Sequence, residues 1–371
     1  VMVYNDNLAK RYNAEISSLI ASYFEYRTDK NQFPRELFDK FIESFDIFSS
    51  IVRDENSILS EEFMTFIRLI SKEFAAFSTV LLTQACYGIY PIIRYGSPKQ
   101  KSLYLEKLIK GEILAGLGFS EGYLGENLEL TNTTATKTSN GWRLSGKKSI
   151  VSNCRFTDIL FIFAKVENDE KKPSFGFFIV DTKDPGVYFG EDIPKQGLKG
   201  LPISSVTFDN IELSEDSLLG MTLAGQEQLN DFVRKLQLGL SAVSIGISEG
   251  AFEKGLSFLK VKRGFGKRLI DATIYQHQFA DLYTKLCAAE AYFNSYKNQM
   301  LDDSLYVSQI KLFTTKVAIE ISEEIIRLIG PLQAQDKSPI DRYLKDAKTI
   351  ESYGKSGDSI RKRIAHQWLK E

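Results

Sequence analysis

The chain has 371 residues, with 47 Lys+Arg against 48 Asp+Glu and a formal net charge of −1, a balance that argues against a nucleic-acid binder. Two histidines (His277, His366) and three cysteines (Cys86, Cys154, Cys287) are present, none at zinc-ligand or CxxC spacing, so metal-hydrolase, Cys-His and Ser-His-Asp chemistries are close to excluded. At 43% hydrophobic and 26% charged residues the composition is globular, with core enough for two or three domains, and hard chemistry would need a borrowed cofactor.

The first residues lack a basic stretch followed by an apolar one, so no secretory signal is read there, and three scattered cysteines fit a reducing cytoplasm. From Asn5 to Gly111 apolar residues recur at helical spacing, as in Leu37, Phe38, Phe41, Ile42, Phe45 and then Phe63, Ile67, Ile70, Phe74. Phe74 to Ile93 carries no charge, but Ser78, Thr79, Thr83, Gln84 and Pro91 interrupt it, which favours a buried core helix over a membrane span. The last helix here has Ser97 as N-cap, Pro98 at its first position, Gln100 to close a capping box and Gly111 to end it. Lys99, Lys101, Lys107 and Lys110 read as its solvated face.

Past Glu112 the pattern becomes short apolar or alternating runs: Leu114 to Phe119, Thr131 to Thr138, Trp142 to Lys148, Ile159 to Val166, Phe175 to Val180 and Val206 to Leu213. Asn140-Gly141 predicts a type I′ hairpin between two of them. Residues 113–222 therefore read as a mostly antiparallel β domain, set between a helical domain at 1–112 and a helical bundle at 223–371. The bundle shows three long helical patterns, Ala224 to Lys262, Ala272 to Met300 and Asp303 to Leu328, and Ser338-Pro339 starts a short one.

This α+β order, helical then β then four-helix bundle, resembles the acyl-CoA dehydrogenase superfamily of flavoproteins. Local stretches follow the family's order: Gly118-Phe119-Ser120-Glu121, Gly146-Lys147-Lys148, Ser152-Asn153, Phe208-Asp209-Asn210-Ile211, Phe265-Gly266-Lys267, Ala280-Asp281 and Lys345-Asp346-Ala347-Lys348. The resemblance implies an FAD-dependent oxidoreductase. It gives Phe119 and Ser120 to the first β segment of the flavin site and Ser152, 32 residues on, to the ring edge near N5. The aromatic cover expected two residues before Ser152 is Ile150, so planar stacking is lost and an aliphatic wall takes its place. In the Gly-rich turn Gly125 is kept, but Glu126 stands where the family has a small hydroxyl residue. Lys262 or Arg263, followed by Phe265, matches the segment that reaches the FAD phosphates across a subunit boundary, which implies a homodimer or homotetramer. Arg327, Gly330 and Ser356 complete the implied cofactor set.

The family's catalytic base is missing. Removing a proton from the carbon beside a thioester needs a positioned carboxylate. One family position for it falls on Gly354, after Tyr353, and the other on Leu236. Three explanations stand: a degenerate flavin-fold protein; another acid, with Glu351, Asp358 and Glu126 as candidates; or oxidation of an alcohol or aldehyde hydrate, where the proton leaves oxygen. The third matches a branch that the chain also resembles, which acts on seryl or glyceryl units tethered to an acyl carrier protein in polyketide and nonribosomal peptide clusters of the zwittermicin and colibactin type, making aminomalonyl or hydroxymalonyl extender units. On this reading the substrate is a thioester on a carrier protein or on coenzyme A, and Glu351, Tyr353 and Asp358 lie near its mouth, with no nucleic-acid or membrane partner. A flavin monooxygenase and a non-catalytic interaction protein of the same fold remain as alternatives.

Overall fold

The structure is a computed structural model and describes residues 7–26, 32–52, 60–122, 130–167, 173–263, 266–298, 304–330 and 340–369. Helices α1 (Asn7–Tyr26) and α2 (Arg35–Phe45) lead to α3 (Glu61–Gln84), which continues through a π-helical turn (Ala85–Ile89) into α4 (Tyr90–Tyr95). The apolar stripe read in α2 is real: Leu37, Phe38 and Phe41 are buried, and Phe41 meets Phe77 of α3 edge to face at 4.8 Å. The run Glu61–Tyr95 is long and apolar enough to cross a membrane, yet its most apolar window is wholly buried in the protein, as a core helix should be. Helix α5 (Pro98–Ile109) has the expected capping box, Ser97 accepting from the Gln100 amide while Gln100 accepts from Ser97 N, and Gly111 follows with a φ of 66°.

Seven strands follow: β1 (Ala115–Gly118), β2 (Thr134–Thr138), β3 (Gly141–Ser152), β4 (Ile159–Glu167), β5 (Ser174–Asp181), β6 (Val187–Asp192) and β7 (Ile203–Ser214). They form one sheet in the order β1-β4-β2-β3-β7-β6, with β5 beside β4. Pairing is antiparallel except where β4 runs parallel to β1 and β2. Strand β6, not anticipated, is an edge strand that buries none of its residues fully, so it lacks the apolar run by which the others were recognised. The hairpin at β2–β3 forms one residue early: Thr138 pairs with Gly141, the turn is Ser139-Asn140, and neither turn residue has the positive φ of a type I′ turn.

Period-two alternation explains why β4 reads as a continuous apolar run. Phe161 and Phe163 face the large core shared with the helices, while Leu160, Ile162 and Ala164 face a smaller core with Trp142, Leu144, Val151 and Phe178. Both faces are covered from Ile159 to Ala164, and the polar residues Lys165 and Glu167 come only at the strand's end.

The C-terminal part is built from α6 (Gly225–Lys260), α7 (Thr273–Asn294), α8 (Ser304–Ile329), α9 (Asp341–Ser352) and α10 (Gly357–Ala365). Helix α6 runs about 54 Å at ~1.5 Å per residue and lies along α3. Gly246 permits that approach: a β-carbon there would stand 2.4 Å from Arg68 O and 2.6 Å from Ser71 Cβ. Beside it Arg68 is buried between two carboxylates, Nε to Glu249 Oε2 at 2.8 Å and Nη1 to Glu290 Oε1 at 3.0 Å, and Lys72 reaches Glu253 at 2.8 Å. These pairs fix the register of the N-terminal helices on the bundle, because removing one partner would strand a buried charge.

Gly246→Ala should lower stability by about 1–3 kcal/mol, the usual cost of overpacking, seen as a fall of several degrees in Tm. An unchanged melting temperature would mean that the α3–α6 seam has room to spare.

Candidate functional site

Strand β1 is built of small residues apart from Leu117, and beyond it the chain turns along β3. Ser120 forms an isolated antiparallel bridge with Ile150, and its carbonyl accepts from Ser149 N at 2.8 Å. Glu121, the next residue, anchors the turn. Its carboxylate accepts from Asn132 N (2.7 Å), Thr133 N (3.1 Å), Thr133 Oγ1 (2.7 Å), Thr131 Oγ1 and the Lys148 ammonium (2.5 Å). The lysine side chain is wholly buried. Burial would push the Glu121 carboxyl up, but Lys148 and the hydroxyl donors outweigh it and hold the carboxyl down to about 2. Burial in turn lowers the Lys148 ammonium to about 8 against the pull of Glu121, which leaves it charged at neutral pH.

With that turn pinned, the side chains of Ile150 and Ser152 share one face of β3 by strand alternation. Ile150 is 48% exposed, an uncovered aliphatic surface between two hydroxyls. Among the described residues the Ser120 hydroxyl has no hydrogen-bond partner, and the side-chain oxygen Oδ1 of Asn153, next to Ser152, is buried without one. Ser152 Oγ lies 2.8 Å from Tyr353 OH, so the end of β3 touches the turn between α9 and α10. Burial raises the Tyr353 phenol well above its ordinary range despite the Ser152 hydrogen bond, so it is a neutral hydroxyl and not a phenolate. Together Ser120, Ile150 and Ser152 fit a flat ring with a hydrogen-bonding edge: free or shared hydroxyls at its margin, an apolar wall at its face, and no carboxylate among them to repel it.

Gly354 has a φ of 62°, and its carbonyl accepts from Gln237 Nε2 at 2.8 Å. A β-carbon at 354 would stand 2.9 Å from Leu240 Cδ1 and 3.2 Å from Leu236 Cδ2. The two positions where a base was sought, Gly354 and Leu236, therefore adjoin in space although 118 residues apart, and the space between them is apolar. Of the three candidate acids, Glu351 and Asp358 lie among the described residues. Glu351 Oε1 accepts from Gly357 N at 3.1 Å, at the start of α10, and Asp358 is exposed and paired with Arg361 at 3.0 Å. Ser356 caps α10, accepting from Ser359 N at 3.3 Å.

The remaining expected cofactor residues are spread out. Phe119 packs partly buried against the helical core. Arg263 folds its guanidinium over Phe258 at 4.7 Å, beside an exposed Lys262. Arg327 is exposed and paired with Glu324 on its own helix, and Gly330, with a φ of 61°, follows the end of α8. Gly125, Glu126 and Phe265 lie outside the described residues. Sequence reasoning missed Gln237 and Lys311. The signal for Lys311 was present, since it stands among Val307, Ile310, Thr314 and Ala318 on the apolar stripe of α8, where a lysine must be buried.

Comparison with known proteins gives a consistent result. The acyl-CoA dehydrogenase N-terminal, middle and C-terminal domain families match residues 7–112, 116–211 and 226–369. An acyl-CoA dehydrogenase of Bacillus subtilis (strain 168) is 27% identical over 303 residues, 81% of this chain and 80% of the relative. Among solved structures, the prolyl acyl carrier protein oxidase AnaB superposes with a TM-score of 0.85 at 18% identity, covering 98% of this chain and 100% of that one. FkbI, for biosynthesis of the methoxymalonyl extender unit of the Fk520 polyketide, superposes with a TM-score of 0.81 at 19% identity, covering 98% of each. At such identities the structural likeness speaks for the fold alone.

Glu121→Gln should destabilise by about 3 kcal/mol at pH 7, since it leaves the Lys148 ammonium buried and unpaired. The folded carboxyl lies below its unfolded value of 4.5, so its stabilisation is complete above that value and lost as pH falls from about 4.5 toward 2. Denaturant melts of both proteins should therefore converge across that window; a gap independent of pH would exclude the carboxylate as the source.

Proposed function

The chain belongs to the acyl-CoA dehydrogenase family, whose members are FAD-dependent oxidoreductases of acyl thioesters, and from that premise we propose that it oxidises a polar acyl unit, of the seryl or aminomalonyl type, tethered to a carrier protein. The observation that carries this reading is the Ser152–Tyr353 hydroxyl contact beside a base position that holds no carboxylate. An α-proton on carbon leaves only to a well-placed base, and a neutral, buried phenol is a poor one. An alcohol asks less. Its carbon gives up a hydrogen with the electron pair, its oxygen gives up a proton that passes to water, and the product is an aldehyde.

FAD, when bound, supplies the acceptor for that electron pair. Ser120 and Ser152 would offer hydroxyls to the ring margin, Ile150 would cover its face, and Tyr353 would offer the substrate oxygen a hydrogen-bonding partner already fixed by Ser152. Gly354, without a side chain, leaves room for the polar group. Glu351 and Asp358 serve the start of α10 on this reading. AnaB and FkbI share the fold and are named for carrier-bound or extender-unit chemistry, which makes a loaded carrier protein the substrate to test beside coenzyme A. Exposed Val261, beside Lys262, and exposed Ile274, in the first turn of α7, favour a homodimer or homotetramer in which this surface meets a second subunit.

Under anaerobic conditions a seryl-loaded carrier protein should bleach the visible band of the FAD-loaded enzyme, and butyryl-CoA should not. Tyr353→Phe should slow the bleaching by about tenfold or more, a modest share of what a positioned proton-transfer group contributes. Fast bleaching by butyryl-CoA would overturn the assignment.

A further inference from the structure

We propose that Lys311 of α8 is a positioning residue for the site, holding the turn that presents Tyr353 and Gly354. Its side chain is wholly buried. The ammonium donates to the carbonyls of Glu351 (2.6 Å) and Lys355 (2.8 Å), one on either side of the turn. One helical turn earlier Ser308 Oγ donates to Gln237 Oε1 at 2.8 Å, and Gln237 Nε2 donates to the Gly354 carbonyl between the two. Side chains of α8 and α6 thus grip three carbonyls of one short turn.

That turn needs holding. Gly354 has a φ of 62°, and Lys355, which has a β-carbon, has a φ of 81°, a conformation that costs energy and persists only when its surroundings impose it. Helix α9 ends there, and a cation at its last carbonyls is favourable. Yet burying an ammonium on carbonyls, with the Glu351 carboxylate offsetting its burial only in part, is a costly way to fill space; an apolar side chain of similar size would fill it without removing a charge from water. What the lysine adds is direction. It fixes where residues 351 and 355 lie, and hence where Tyr353 OH meets Ser152 Oγ. This inference rests on the site proposed above, but its first test is independent of any substrate.

Hydrogen exchange of the apoprotein reads the turn directly. K311M should speed exchange of the amides from Tyr353 to Gly357 by about tenfold while amides of β4 and the middle of α6 keep their wild-type rates. In the FAD-loaded protein the same variant should slow flavin bleaching by a seryl-loaded carrier protein by about tenfold or more, as expected when reacting groups are held slightly out of place, with less than a threefold change in the concentration giving half-maximal rate. K311R, which keeps the charge and the donors, should recover most of both effects. Unchanged exchange over the turn, a uniform rise across the whole protein, or a K311R no better than K311M would each overturn the proposal. A wild-type enzyme that no carrier substrate bleaches would sink the functional assignment instead, and the exchange result would still decide the role of Lys311.

Discussion

Everything at the site depends on one buried ion pair that never touches it. Glu121 and Lys148 occupy the space beneath the end of β1, and the carboxylate meets enough donors that its desolvation is repaid by hydrogen bonds and not by the lysine alone. Because Glu121 follows Ser120 directly, and Lys148 sits two residues before Ile150, the pair sets the separation of the two chain segments proposed to form the ring-binding wall. A weaker anchor would leave Ser120 on an ordinary mobile loop.

From there the constraint passes to the helices. Strand β3 ends at Ser152, whose hydroxyl meets Tyr353, and Tyr353 stands on a turn gripped by α6 and α8. The β segment and the C-terminal bundle are thus joined at the site by a contact between two neutral hydroxyls. Away from it, charges join α3 to α6 and α7 through Arg68, Glu249 and Glu290. The division is physically sensible: buried ion pairs hold the frame, while the proposed ring wall of Ser120, Ile150 and Ser152 carries no charge and is open to new hydrogen bonds.

How much of this was legible depended on whether a residue's role is local. The capping box at Ser97 and the alternation of β4 are local, and both were readable. Strand β6 was not, since an edge strand without buried residues carries no apolar signature, and the Asn140-Gly141 pair gave the hairpin but not its turn type, because the register of β2 on β3 moved the turn one residue back. At the site, Ser120 and Ser152 were recognisable through the stretches around them. The grip of Lys311 and Gln237 on the 351–355 turn was not, because it joins side chains to carbonyls 40 and 117 residues away and leaves no motif behind.

The missing base is also better understood in space than along the chain. Read in sequence, Gly354 and Leu236 are two independent absences. In the structure they are one, because Leu236 and Leu240 fill the space that a side chain at 354 would need, and the left-handed backbone there resists any residue but glycine. Putting a carboxylate back at 354 would drive a charge among leucines on a strained backbone. Putting one at 236 would bury it beneath the turn that Lys311 holds. The absence is therefore supported by at least four side chains on α6 and α8, Leu236, Gln237, Leu240 and Lys311, packed as a unit. Loss of a base through a single substitution would have left a cavity of carboxylate size and a turn free to move. What the structure holds instead is a filled apolar space under a clamped glycine.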